Sequence, residues 1–282
     1  IRDFCLSRGL GDVYKRQDRN RTSPFAFTGN KFEFRMVGSR DSVAEPNVVL
    51  NTIAAEAFSD ACDVLEKADD FDMAVHDLIK QYASEHQRIV FNGNGYSDEW
   101  VEEAERRGLP NIKTMVDSIP VLCEEKTVQL FEKFGVFTRA ELESRAEIQY
   151  EAYSKAINIE ARSMIDIASK HIIPSVLQYT TALATSINQI RSACAEANIS
   201  VQIELLKDCS SLLAATKAAL KALTEVTEKA AATTEGRERA VYILENVVPA
   251  MAALRQPVDK LEMLVAKDMW PMPSYGDLLF EV

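Results

Sequence analysis

The chain has 282 residues, 47% hydrophobic and 27% charged, which describes an ordinary globular protein long enough to bury a full core in one or two domains. Acidic residues outnumber basic ones by 43 to 32, and the net charge of -11 argues against a nucleic-acid backbone or an anionic membrane surface as a general partner. The five scattered cysteines, Cys5, Cys62, Cys123, Cys194 and Cys209, form no C-x-x-C pair, so they fit the reduced thiols of a cytoplasmic protein better than a disulfide framework or a zinc site.

No run approaches the roughly eighteen apolar residues of a membrane span, and no secretion signal opens the chain. The first seventeen residues, IRDFCLSRGLGDVYKRQ, have no sustained period and are read as a non-native leader or assembly scar. Residues 18–45 hold turn signals at Ser23-Pro24 and Gly29-Asn30, then the alternating KFEFRMV, which reads as a strand. From Pro46 the set Val49, Leu50, Ile53, Ala54, Phe58, Ala61, Cys62 and Leu65 recurs at helical spacing, and predicts a helix packed on a strand layer.

A second helix is expected over about Phe71–Ile89, broken by FNGNGYSDEW. Ser97 is the expected N-cap of a short helix that Gly108 and Pro110 end. TRAE, Thr138 to Glu141, has the form of a capping box. Between Gly135 and Gly236 there is no glycine and one proline, Pro174, which predicts long antiparallel helices with a kink near Pro174 and a turn around Asn198. The last helix carries Val241, Leu244, Val248, Met251, Leu254, Leu261 and Leu264, bent at Pro249 and Pro257, and the tail WPMPSYGDLLF is expected to pack extended. No internal repeat is evident, which favours a bundle over a solenoid.

Few residues carry chemistry. His76, His86 and His171 are far apart and read as ordinary surface or core residues. Asn92 to Gly95, NGNG, lacks the lysine and hydroxyl of a phosphate loop and reads as a tight turn, and the glutamates at 102, 103, 105 and at 141, 143, 147 read as solvated helix faces. In KFEFR the period of two sets Lys31, Glu33 and Arg35 on one face and Phe32 and Phe34 on the other. That face reads either as the wet side of a half-exposed strand or, with the guanidinium groups of DRNR (Asp18 to Arg21), as a site for a divalent metal and a transferred phosphoryl group.

DRNRTSPFAFTGNKFEFRMVGS resembles the C-terminal catalytic segment of glutamine synthetases, specifically the long type III form. In that family an RNR segment precedes a strand of the form R-x-E-x-R, followed by a proline and a helix. Here these are Arg19 to Arg21, Lys31 to Arg35 and EPNVVLNTIAAEAF, Glu45 to Phe58. FNGNGYSDEWVEEAERRGLPN, the INIEARSMIDIA region and WPMPSYGDLLF also resemble type III proteins, so the resemblance covers residues 18–282.

The resemblance implies an α+β fold for the parent enzyme, with this chain mainly α-helical, a short antiparallel β segment followed by a long-helix bundle. Residues 18–135 are then the end of the catalytic domain, and 136–282 a helical bundle with an extended tail. It implies Glu33 as a ligand of a catalytic Mg2+ or Mn2+ ion, Arg35 and Arg21 at the transferred phosphoryl group, and Lys31, Arg21 and Arg19 toward ATP. A further phosphate-binding arginine of the family is missing from SPFAF, so its role is lost or falls to Lys31 or Arg19.

The implied reaction is ATP-dependent amidation of glutamate by ammonia through γ-glutamyl phosphate, in a cytoplasmic homo-oligomeric ring with no nucleic acid or membrane as partner. Since the family's other metal ligands lie upstream of this segment, the chain alone is expected to be inactive. Two alternatives stand: another γ-glutamyl-amine ligase of the same fold, and a non-catalytic helical oligomerisation module.

Overall fold

The computed structural model describes residues 25–27, 32–34, 42–90 and 97–280. The expected leader at 1–17, the residues Arg19, Arg21, Lys31 and Arg35 and the NGNG turn lie outside the described residues.

Two three-residue strands, β1 (Phe25–Phe27) and β2 (Phe32–Phe34), pair antiparallel with Ala26 opposite Glu33. The helices in chain order are α1 (Ala44–Leu65), α2 (Phe71–Glu85), α3 (Asp98–Arg106), α4 (Met115–Ser118), α5 (Glu125–Lys133), α6 (Arg139–Ile167), α7 (Ile173–Ala193), α8 (Ser200–Ala232), α9 (Arg237–Tyr242), α10 (Val248–Glu262) and α11 (Tyr275–Phe280). The described chain is mainly helical as expected, and the fold class is corrected in its β part. The expected antiparallel β segment shrinks to one three-residue pairing, and no strand layer supports α1 among the described residues. A single hairpin of that length is at best marginally stable, so it cannot act as a layer by itself.

The chain divides into two compact units, one of residues 1–114 with 124–139, the other of 115–123 with 140–282. In the first, α1 packs on α2 and α5. Asp70 caps α2 by accepting the Met73 amide at 3.1 Å, and its apolar side turns Leu78 inward. Gly108 (φ 68°) and Gly135 (φ 63°) close α3 and α5 in the left-handed conformation. In each closure the next amide reaches back to the carbonyl five residues earlier, Leu109 to Ala104 and Val136 to Phe131, so the last orphan carbonyls are satisfied.

The side of α1 that packs is mixed: Val49, Leu50, Ala54, Ala61 and Leu65 are half-buried, and polar side chains share the burial. Thr52 is buried with its hydroxyl on the Val48 carbonyl, and Glu56 meets Lys133 of α5 at 2.5 Å. On the same helix, Ile53, Phe58 and Val64 are 49%, 72% and 48% exposed. The sequence expectation of a packed apolar face is therefore corrected at Ile53, Phe58 and Cys62, which stay exposed, while Val49, Leu50, Ala54, Ala61 and Leu65 of the same set are half-buried.

In the second unit, α6 continues through a π-turn at Ala168–Ile172 into α7, and α9 through a π-turn at Ile243–Val247 into α10. With α8 antiparallel between them, these make a bundle whose core runs in layers. Ala146, Tyr150 and Ala240 pack with Val116 and Ile119. Below them come Ala161, Ala168, Leu220, Leu223, Ile243, Val247 and Leu254, and then Ile172, Val176, Cys209, Leu261 and Val265.

Each π-turn ends two residues before a proline, Pro174 or Pro249. A proline ring collides with the carbonyl four residues back, here Lys170 or Glu245, and lacks the amide that would bond it. The widened turn lets the helical path continue past each proline, the places where the sequence predicted a bend. The turn at Asn198 is as expected, its Oδ1 accepting the Ser200 amide at 3.0 Å.

The tail is the second correction. Ser274 and Asp277 form a reciprocal capping box, with Ser274 N donating to Asp277 Oδ2 at 2.7 Å and Asp277 N to Ser274 Oγ at 3.3 Å. This starts α11 directly after the last proline, so the end of WPMPSYGDLLF is helical, not extended.

Candidate functional site

Of the site residues read from the sequence, Glu33 alone falls on a described element. Its backbone sits at the centre of β2, opposite Ala26 of β1. Arg19, Arg21, Lys31 and Arg35 lie outside the described residues. No group of three His, Cys, Asp or Glu side chains suited to a metal occurs among the described residues. His76, His86 and His171 are all exposed.

The best-built polar cluster of the first unit sits on α3, and its Glu103 was read from the sequence as part of a solvated helix face. Ser97 occupies the N-cap with extended backbone, and Asp98 and Glu99 fill the first turn, where the helix dipole favours anions. Further on, Glu103 takes two bonds from Arg106, both at 2.7 Å, and one from Arg107 Nε at 2.5 Å. The Arg106 guanidinium first, and Arg107 after it, hold the Glu103 carboxyl down at about 2.

With its orientation fixed by Glu103, Arg107 donates through Nη1 to the carbonyls of Arg88 and Val90 at 3.1 and 2.7 Å. Its guanidinium lies 5.7 Å from the Trp100 ring. The cluster therefore pins the 3₁₀ turn Gln87–Ile89 to α3. Glu102 and Glu105 are exposed, as a solvated face requires, whereas Glu103 is the exception. The one legible signal was its spacing, i to i+3 and i+4, from two arginines.

A second polar cluster lies at the end of the other unit. Lys267 Nζ meets Asp277 Oδ1 at 2.7 Å, and Ser274 gives Asp277 Oδ2 both its amide and its hydroxyl at 2.7 Å. Lys267 first, then the Ser274 amide and hydroxyl, hold the Asp277 carboxyl down at about 2. Both clusters consist of mutually satisfied groups with a structural task, the Ser274 hydroxyl being spent on the Asp277 carboxylate that caps α11.

Comparison with known proteins supplies what this geometry lacks. The glutamine synthetase C-terminal domain matches residues 74–191, from within α2 to near the end of α7. The chain is 35% identical to a type-3 glutamine synthetase of Dictyostelium discoideum over 274 residues, which is 93% of this chain and 37% of the relative. It is 37% identical to a glutamine synthetase of Butyrivibrio fibrisolvens over 276 residues, 94% of this chain and 38% of the relative. A glutamine synthetase of Bacteroides fragilis (strain YCH46) is 33% identical over 271 residues, again 93% and 37%. The chain thus spans less than two-fifths of the length of these relatives. With a domain match over α2 to α7 and this identity along almost its whole length, the chain belongs to the glutamine synthetase family and carries its C-terminal domain.

Proposed function

We propose that this chain is part of a glutamine synthetase that joins ammonia to glutamate at the expense of ATP, through γ-glutamyl phosphate. The observation that carries the proposal is the similarity to three glutamine synthetases over 93–94% of the chain, which takes in the KFEFR segment. A second observation is consistent with it: Ile53, Phe58 and Val64 of α1 are left largely exposed among the described residues. Such exposure is what a helix shows when it is shaped to pack against more protein.

In the proposed site, Glu33 gives one carboxylate to a divalent metal, Mg2+ or Mn2+. A magnesium centre needs about six oxygen ligands, and the described residues build no cluster that would supply them, so the remaining ligands come from elsewhere in the enzyme. When bound, the metal screens the repulsion between glutamate carboxylate and ATP phosphate. Arg35 and Arg21 neutralise the equatorial oxygens of the phosphoryl group in flight, and Lys31 and Arg19 bind the outgoing nucleotide's phosphates. Residues 18–135 would then close the catalytic domain, with 136–282 as its helical companion, in a cytoplasmic homo-oligomer.

The test is ADP release by the family-length enzyme, dependent on both glutamate and ammonia. Glu33→Ala and Arg35→Ala should each lower the rate at least about a hundredfold. Near-normal turnover in both variants would refute the site. Turnover with another amine in place of ammonia would instead move the enzyme to the related γ-glutamyl ligases.

A further inference from the structure

Between α8 and the end of α10 the bundle leaves a groove of about 800 Å³ that is open to solvent. Its floor is apolar, with Leu212 of α8 and Leu264, just past α10, both half-buried there. On its lip stands Met263, which at 83% is the most exposed large apolar side chain among the described residues. A thioether this close to an apolar floor gains by covering one, yet within its own chain it stays in water.

The walls carry opposite charges that do not meet. Asp208 stands on α8 and Lys260 on α10, both exposed, and neither has an ion pair or a hydrogen bond. The other acid of the groove, Asp259, is already held by Arg255 Nη2 at 3.2 Å, one turn back on α10. One acid and one base, on opposite walls, are therefore left for something outside the chain.

A small molecule is a poor fit, because a ligand pocket hides most of its ligand and the charged walls of this groove are exposed. A nucleic-acid backbone is disfavoured by the free acid on the wall and by the net charge of -11. The feature that selects the occupant is self-complementarity, since one patch carries both knob and hole, both acid and base. A contact about a two-fold axis requires that, because every residue pair in it occurs twice with the roles exchanged.

We infer that a second copy of this chain docks in the groove, related to the first by a two-fold axis. Met263 of each copy enters the other's groove and covers its leucine floor, where an unbranched thioether can adapt to the surface it meets. Asp208 pairs with the partner subunit's Lys260, and Lys260 with the partner subunit's Asp208, so the charges fix the register of the contact. This interface is separate from the proposed chemistry at Glu33, and it does not depend on the chain making glutamine.

The test is analytical ultracentrifugation of the 282-residue chain over a range of concentrations up to about 1 mM, wide enough to reveal a small interface. The expected result is a monomer–dimer equilibrium with a dissociation constant on the order of 10–100 μM, weakened by added salt. Met263→Lys should weaken it at least about tenfold, since it drives a charge into the partner's apolar floor. Asp208→Lys and Lys260→Asp should each weaken it at least about tenfold by setting like charges together twice about the axis. The double variant, with the pair inverted, should return to within about threefold of the parent. All three positions are exposed, so each variant should melt like the parent. A chain that stays monomeric throughout would overturn the interface, as would association that Met263→Lys leaves unchanged, which would lie on another face. No recovery in the double variant would overturn the pairing of Asp208 with Lys260.

Discussion

The two units put the same kinds of residue to different use. In the first, α1 turns Thr52 and Glu56 inward and leaves Ile53, Phe58 and Val64 in water, and its buried apolar side chains are few: Leu78, Val128 and Phe131. In the second, three helical rods bury leucine, isoleucine, valine and alanine in successive layers, and Leu223, Leu254 and Leu261 are almost wholly enclosed. Helical periodicity is therefore a statement about where an apolar face lies, not about whether it is covered. The bundle carries its own partners in sequence, whereas the stripe of α1 has none among the described residues.

That contrast can be broken most forcefully in the bundle. Leu223→Ala should lower unfolding stability by about 2–5 kcal/mol, read as a lower denaturant midpoint, because the surrounding helices cannot collapse into the cavity. A loss under about 1 kcal/mol would mean that the layers are loosely packed. Next in size, Gly135→Ala should cost about 1–2 kcal/mol, measured in the same way. No atom lies within 4 Å of the added Cβ, so the whole cost is the left-handed backbone at φ 63° that closes α5.

A pH titration sharpens the comparison at the two polar clusters, Glu103 in the first unit and Asp277 in the second. Both carboxyls are held below their ordinary values, so protons bind them less readily in the folded chain than in the unfolded one. Their contribution to stability is full above the unfolded value near 4, and it is lost as pH falls through about 2. Carboxyl resonances followed by NMR should show both titrating near 2, and Lys267→Met should return Asp277 toward the ordinary range. An Asp277 titration near 4 in the parent chain would contradict the capping geometry.

The smallest effect is the most telling. Phe58→Ala should change the stability of the 282-residue chain by no more than about 0.5 kcal/mol, since its ring is 72% exposed. A loss of several kcal/mol, as for Leu223, would show that the α1 stripe is packed in solution after all.

Much of the helical architecture was legible in the sequence. The glycine-free interval between Gly135 and Gly236, the stop signals Gly108 and Gly135, and the turn at Asn198 set helix positions through local backbone preference, and the structure follows them. The tail was misread because prolines dominated its composition, while the Ser274–Asp277 capping box sat just beyond the last of them. Pro174 and Pro249 were recognised as irregularities. That each would be met by a π-turn within a continuing helix was not, because the local hydrogen-bond register depends on how the helix packs. For the candidate site, the KFEFR motif was legible as chemistry, and of its residues Glu33 alone falls on a described strand.

The sequence by itself determined the long helices, several of their ends and the family, since propensity, capping and motif identity are local properties of the chain. Only the tertiary structure decided which faces are covered and which polar groups meet. Burial depends on what other segments bring, and no spacing rule could reveal that Ile53 and Phe58 of α1 stay exposed, that Arg107 reaches the carbonyls of Arg88 and Val90, or that Ser154 lacks a partner.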